Sequence, residues 1–572
     1  MQEFSISLYS LWQQIYGNAE KELFEKFVAE IDGFKQNNKI IPNEEEWYKD
    51  VTIYSLYVDL FNTDFNGLIA KLDYLSDLGV SCLWLLPILD SPMRDAGFDI
   101  KNYQKIRRDL VGETLVNGKD AFEVFLDKAK EKSIKVIFDI AINHTSEEHH
   151  WFQEAIKSKD NPYHNYYIWN NDTEKYKDAR IIFYGIEESN WQKQGDEYFF
   201  HRFFDFQPDL NYRNPKVLIE MAYNFLFWLQ KGVDGFRADA IPYLWKEEGT
   251  ECENLPKTHV IVKIFRLILD YVKPNTLLLA EACQKPKEVV KYFGNGDECH
   301  AGYHFPLMPQ IYKALGSESK EPIRNVLENN ITPQIPESSQ WFTFLRCHDE
   351  LSLELTYVSE EDRKYIHETF CKQPEWNFRL GQGISARLAE LMDRNPKKIA
   401  LAFSIMLTLP GTPIIYYGDE FGKLNDEDYY KETIKIVGKD DTRFLVRGRI
   451  DWENLEKELK NENSYSSFVY KALKNQILCR TQHKTFGRGD LKWLTAFDTG
   501  KNEINSMLMF ERNYKTEKLL MIHNLKNEQQ QIQFDTSVLK DKSDLLGQEI
   551  IIEKTNNSIT IEALGTYWIK LN

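Results

Sequence analysis

Three carboxylates, Asp239, Glu281 and Asp349, stand at the ends of three short apolar runs: Gly232-Val-Asp-Gly-Phe-Arg-Ala-Asp-Ala240, Leu279-Ala-Glu-Ala282 and Phe344-Leu-Arg-Cys-His-Asp-Glu350. Gathering acids from several strand ends is how closed α/β barrels build their sites. The chemistry such a set suits is cleavage of a glycosidic bond with retention, in which one carboxylate attacks the sugar while a carboxylic acid about 5–5.5 Å away protonates the leaving oxygen. Arg237 lies two residues before Asp239 on the same strand face, and a cation so placed favours the ionised form a nucleophile needs. Glu281 follows Leu277-Leu-Leu-Ala, an apolar setting that raises a carboxyl's pKa as a general acid requires. Asp349 is then left to hold hydroxyls and to stabilise positive charge developing on the ring. His144 and His348 could donate to hydroxyls, and Asp99 in Gly97-Phe-Asp-Ile100 could accept from the same ring with Arg379 bridging to it. One aspartate at a strand end is ordinarily a capping residue. Three of them, each on a different strand, are harder to read that way.

Eight strand-like runs could position these groups: 52–58, 81–87, 134–143, 235–240, 276–282, 301–305, 341–348 and 413–420. Helix-like segments lie between them, clearest at 68–78, 121–132, 217–229, 260–272, 286–293 and 397–407. This is the count of a (β/α)8 barrel. The chain divides into a helical N-terminal extension (1–47), a barrel (48–144 and 212–480), an inserted subdomain (145–211) and, from residue 496 to 572, short alternating runs that predict an antiparallel β-sandwich. The insertion leaves the C-terminal end of the third strand and should wall the catalytic mouth. Leu8, Leu11, Ile15, Leu23, Phe24 and Phe27 recur at helical spacing and predict two amphipathic helices that cap the barrel.

A net charge of −17 argues against nucleic acid or an anionic membrane as partner, because neutralising phosphates takes clustered Lys and Arg. Seven cysteines without paired spacing fit a reducing compartment. The opening MQEFSISLYSLWQQIYG has no basic n-region or long apolar core, and the run 399–417 is broken by Pro410-Gly411, so neither a signal peptide nor a membrane span is expected. The expectation is a cytoplasmic protein acting on a neutral substrate.

The blocks Phe138-Asp-Ile-Ala-Ile-Asn-His144, Gly235-Phe-Arg-Ala-Asp239, Ala280-Glu281 and Arg346-Cys-His-Asp349 resemble the four signature regions of the α-amylase family of glycoside hydrolases. The resemblance implies nucleophile, acid/base and transition-state stabiliser for Asp239, Glu281 and Asp349. Within the family the stretch 239–256, Gly296-Asp-Glu-Cys-His300, Tyr303-His-Phe-Pro-Leu-Met-Pro309, Ala179-Arg-Ile-Ile-Phe183 and 203–211 are similar to the trehalose synthase group. That likeness implies interconversion of maltose and trehalose through a covalent glucosyl-Asp intermediate, with the released glucose turning inside a closed pocket before it attacks.

Four departures from the family pattern stand out. Cys347 replaces an Asn, and Phe98 replaces a Tyr while keeping a stacking surface. The resemblance places a structural Ca2+ at Asn143, Asp209, Tyr243 and Leu244, but Lys246 falls where an acidic ligand belongs, and a lysine cannot ligate a hard cation. The loop after the first strand, Phe61-Asn-Thr-Asp-Phe-Asn-Gly67, is short where many relatives bind a second ion. No cofactor is therefore required. In addition, Arg443-Phe-Leu-Val-Arg-Gly-Arg449 stands where the family has a Pro-Met-Gln-Trp phrase, which points to altered specificity. Cys283 and Cys347, beside the acids, read as small space-filling side chains. The same-class alternative is an intracellular α-glucosidase that hydrolyses short α-glucosides; the other class is a non-catalytic glycan-binding or scaffold barrel. A homodimer through the C-terminal region is compatible with the sequence.

Overall fold

A computed structural model describes residues 2–571 except 19, 114, 116, 117, 439 and 554–556. Eight parallel strands form a closed barrel: β1 (Ile53–Leu56), β2 (Cys82–Leu85), β3 (Lys135–Ala141), β4 (Gly235–Asp239), β5 (Leu277–Ala280), β6 (Ala301–Tyr303), β7 (Gln340–Phe344) and β8 (Thr412–Tyr416). Each strand pairs with its neighbours in sequence, and Ile53 opposite Ile414 closes the ring. The strands are largely apolar because helices cover their outer face and side chains fill the interior; β2, β5 and β8 are buried at every position, and among the charged exceptions Asp139 on β3 and Arg237 and Asp239 on β4 belong to the site.

Local signals set where the catalytic strands begin. The helix Pro215–Lys231 starts with Asn214 accepting from the Lys216 N–H and Pro at its first turn, and it ends at Gly232 with φ 109. Gly235 opens β4 where a Cβ would lie 2.5 Å from the Leu277 carbonyl oxygen, so only glycine lets β4 approach β5 this closely. The resulting register sets Ala238 opposite Ala280. The next residue of each strand, Asp239 and Glu281, thus leaves the barrel rim side by side.

The insertion after β3 carries a three-stranded antiparallel sheet, Trp169–Asn170, Glu197–Phe200 and Trp191–Gln194, with its own aromatic clusters around Trp191 and Phe200 and around Phe183, Phe204 and Phe206. It rejoins the barrel through the Leu210 N–H to the Asn143 carbonyl, 2.8 Å.

The N-terminal helices Gln2–Tyr16 and Lys21–Asn37 pack on the barrel's helices, with Phe4 stacked 3.9 Å from Tyr271. Their buried stripe is Phe4, Leu8, Trp12, Ile15, Phe24, Phe27 and Ile31. Leu11 and Leu23 lie on the flank of that stripe, only partly buried. At the other end, two antiparallel sheets form, of four strands (Asp490–Leu494, Met507–Tyr514, Glu517–Asn524, Thr566–Lys570) and three (Gln530–Gln533, Ile551–Glu553, Ser558–Ile561). Asp490–Leu494 starts this region six residues before the expected boundary. It is an edge strand with no fully buried side chain.

Candidate active site

Arg237 is the hub of the site. From the inner face of β4 its Nη1 donates to Asp239 Oδ1 at 2.8 Å and to Asp139 Oδ1, its Nη2 lies 4.0 Å from Glu281 Oε1, and its Nε donates to the Tyr303 hydroxyl at 3.1 Å. Asp139 is fixed in turn by the Trp84 indole N–H at 2.8 Å. The two candidate acids therefore share one guanidinium. Burial, and next the charge of Asp239, push the Glu281 carboxyl up to about 7, and Arg237 opposes them. A carboxyl so placed can carry a proton near neutral pH.

Asp349 is held differently. Oδ1 accepts from Arg443 Nη1 and Arg447 Nη2, each at 3.1 Å, and Oδ2 lies 3.1 Å from His348 Nε2. Burial raises this carboxyl, but His348, Arg443, Arg447 and Arg237 together hold it below the usual carboxylate range. Burial pushes the imidazole of His348 down to about 3, so it is neutral. Its Nε2 serves Asp349, where the sequence suggested a sugar hydroxyl, and the ring stacks on Phe98 at 5.6 Å. His144, also lowered by burial, packs on Phe203, and its buried Nε2 has no hydrogen-bond partner among the described residues.

Two expectations require correction. Asp99 is fully buried and caps its own loop: its carboxylate accepts from the Ser91 hydroxyl and from the backbone N–H groups of Arg94 and Asp95. Its neighbour Asp95 accepts from the Gln207 side-chain amide at 3.0 Å and lies 3.9 Å from Arg443. Arg379 does not bridge to Asp99. Its Nη1 donates to the Ile182 carbonyl of the inserted subdomain at 3.1 Å, and its guanidinium lies 4.3 Å from the Phe183 ring.

That contact roofs a pocket whose wall includes Glu281, Cys283, Cys347 and Asp349. Arg180 of the insertion continues the roof, donating to Glu253 at 2.8 Å and lying 3.8 Å from Glu354. Glu350, which sequence reasoning did not assign, and Tyr243, which it placed at the ion site, also line the pocket; Glu350 is pushed up to about 7 by burial and by Asp349.

The expected ion site has a different occupant. Lys246 Nζ lies 2.7 Å from Asn143 Oδ1 and 2.7 Å from Asp209 Oδ2, with its side chain almost wholly buried. The ring of Tyr243 lines the pocket, and Leu244 is buried in the core. An ammonium at hydrogen-bond distance from two of the four presumed ligands does not fit a divalent cation in the same place.

The model of the α-amylase catalytic domain matches residues 37–517. The chain belongs to the α-amylase family. It is 38% identical to the trehalose synthase/amylase of Mycolicibacterium smegmatis over 87% of each chain. It is 36% identical to the trehalose synthase of Pimelobacter sp. over 93% of this chain and 97% of that one. The fold is that of the α-amylase from H. orenii, with a TM-score of 0.70 at 24% identity, covering 92% of this chain and all of that structure. Membership makes this α-amylase-family chain a glycosidase or transglucosidase. Among the described residues no helix is long and apolar enough to cross a membrane.

Proposed function

We propose that the protein interconverts maltose and trehalose by moving a glucosyl unit within its own pocket. Asp239 attacks the anomeric carbon from one side of the ring. Glu281, protonated near neutral pH, gives its proton to the leaving glucose oxygen, and a glucosyl ester forms on Asp239. Asp349 stabilises the positive charge that develops on the sugar. The released glucose then turns, Glu281 takes the proton from its anomeric hydroxyl, and that oxygen attacks the ester to form trehalose; the reverse sequence restores maltose.

The observation that carries this reading over simple hydrolysis is the roof. Arg379 and Ile182 join the loop after β7 to the inserted subdomain across the pocket, and Arg180, Glu253 and Glu354 close the rim. A site narrowed this way favours retention of the released glucose over entry of bulk water to the ester. The substrate is a small neutral α-glucoside, in keeping with the names of the relatives. No metal is needed: the Lys246 ammonium binds the base of the insertion to the barrel where a divalent ion would otherwise sit.

Incubating the protein with maltose and, separately, with trehalose tests the proposal. Each should yield the other, with total disaccharide nearly conserved and without incorporation of isotope-labelled glucose added to the solution. Dominant release of free glucose would instead mark an α-glucosidase, the outcome that Cys347 in the pocket wall favours.

A further inference from the structure

The segment after β8 puts two guanidiniums on one carboxylate oxygen, and they are not equivalent. Arg443 is gripped by both oxygens of Asp441 and faces Asp95 as well as Asp349, so its charge is divided among three carboxylates. Arg447 meets Asp349 alone among the described carboxylates within ion-pair range. Its Nη2 donates to Asp349 Oδ1 at 3.1 Å while its Nε donates to the His348 carbonyl at 2.9 Å. One planar fork thus ties a side chain to the backbone that carries it. The guanidinium is sandwiched near the Phe444 ring at 5.1 Å and the Tyr57 ring at 5.9 Å, and its side chain is 3% exposed. A buried guanidinium with a single anionic partner is tolerated only when that pair is well made, and the rigid fork is suited to fixing direction.

We propose that Arg447 is a positioning residue that fixes the orientation of the Asp349 carboxylate by holding Oδ1, while Oδ2 rests on His348 Nε2. The proposal rests on the α-glucoside reading of the site. Positive charge on the ring grows as the glycosidic bond breaks, so a carboxylate free to rotate about its side chain would lose stabilisation chiefly in the transition state. The loss should therefore appear in kcat more than in KM.

The test is a double-mutant cycle on α-glucosyl fluoride and maltose with wild type, Arg447→Met, Arg447→Lys, Asp349→Asn and Asp349→Asn/Arg447→Met. Arg447→Met should lower kcat by roughly a hundredfold, the scale of a small misplacement in an active site, with KM little changed. Arg447→Lys should recover part of the loss, and in the Asp349→Asn background Arg447→Met should cost nothing further. An equal loss in both backgrounds, or wild-type kcat in Arg447→Met, overturns the proposal. If Arg447→Met fails to fold, the same cycle with Arg447→Lys decides. A wild type that turns over no α-glucoside would defeat the activity reading instead. The positioning claim is then judged on a crystal structure of an Arg447 variant, where an Asp349 carboxylate in unchanged orientation refutes it and a rotated one supports it.

Discussion

The backbone N–H of Ala240 donates to Glu281 Oε2 at 3.2 Å, so the residue after the candidate nucleophile holds the candidate acid. Ala240 does this from the left-handed region, φ 60, which an alanine adopts only at a cost. Donation to the carboxylate favours its charged form, yet burial and Asp239 outweigh it and leave Glu281 at about 7.

Because the acid must be protonated to act, kcat/KM for maltose should fall as pH rises through about 7, giving the alkaline limb of the profile. Glu281→Gln should remove that limb and retain turnover only of substrates such as α-glucosyl fluoride whose leaving group needs no proton. An unchanged alkaline limb in Glu281→Gln would assign the acid elsewhere.

The Lys246 ammonium should make the protein indifferent to chelators. Thermal unfolding and activity of the wild type should be the same with and without EDTA. Lys246→Met leaves the buried Asp209 carboxylate without its cation and should cost about 3–5 kcal/mol of stability, the scale for breaking a buried ion pair. Lys246→Asp restores an acidic side chain, and its melting temperature should rise on addition of calcium. A chelator-sensitive wild type would contradict this assignment.

Removing the roof should change the products more than the rate of bond cleavage. Arg379→Ala loses the bond to the Ile182 carbonyl and the packing on Phe183, opening the pocket to water. The ratio of free glucose to trehalose formed from maltose should rise several-fold, of the order that loss of water exclusion permits. An unaltered ratio would show that closure lies in other contacts.

Asp99 should behave as a structural residue. Asp99→Ala deletes the acceptor of three loop hydrogen bonds and should destabilise the protein by about 1–3 kcal/mol while leaving kcat of the folded fraction close to wild type. Asp95→Ala, which frees Arg443 from one of its carboxylates, should act on kcat/KM. Calorimetry alongside steady-state kinetics separates the two.

Much of this was legible in the chain because barrel strands announce themselves as apolar runs and because an acid at a strand end has a defined exit. All eight barrel strands follow from that rule. The failures share a different origin. Arg379 and Ile182 lie 197 residues apart on loops whose meeting no periodicity encodes. Asp95 and Asp99 flank a turn in which Ala96 (φ 48) and Gly97 (φ 96) both take positive φ, and the turn puts Asp99 on the loop's own N–H groups and Asp95 near Arg443. Arg443 and Arg447 stand out in the sequence only as a departure from a family phrase, and their pairing with Asp349 across about a hundred residues of chain required coordinates. The obstacle at Lys246 to ligating a hard cation was visible from charge alone, whereas its distances to Asn143 and Asp209 required coordinates.

The most direct test of the central claim is to trap the intermediate with 5-fluoro-α-glucosyl fluoride and map the adduct by peptide mass spectrometry. The account predicts one fluoroglucosyl group, on Asp239, formed in wild type and absent from Asp239→Asn. An adduct on another carboxylate, or trapping undiminished in Asp239→Asn, would contradict it.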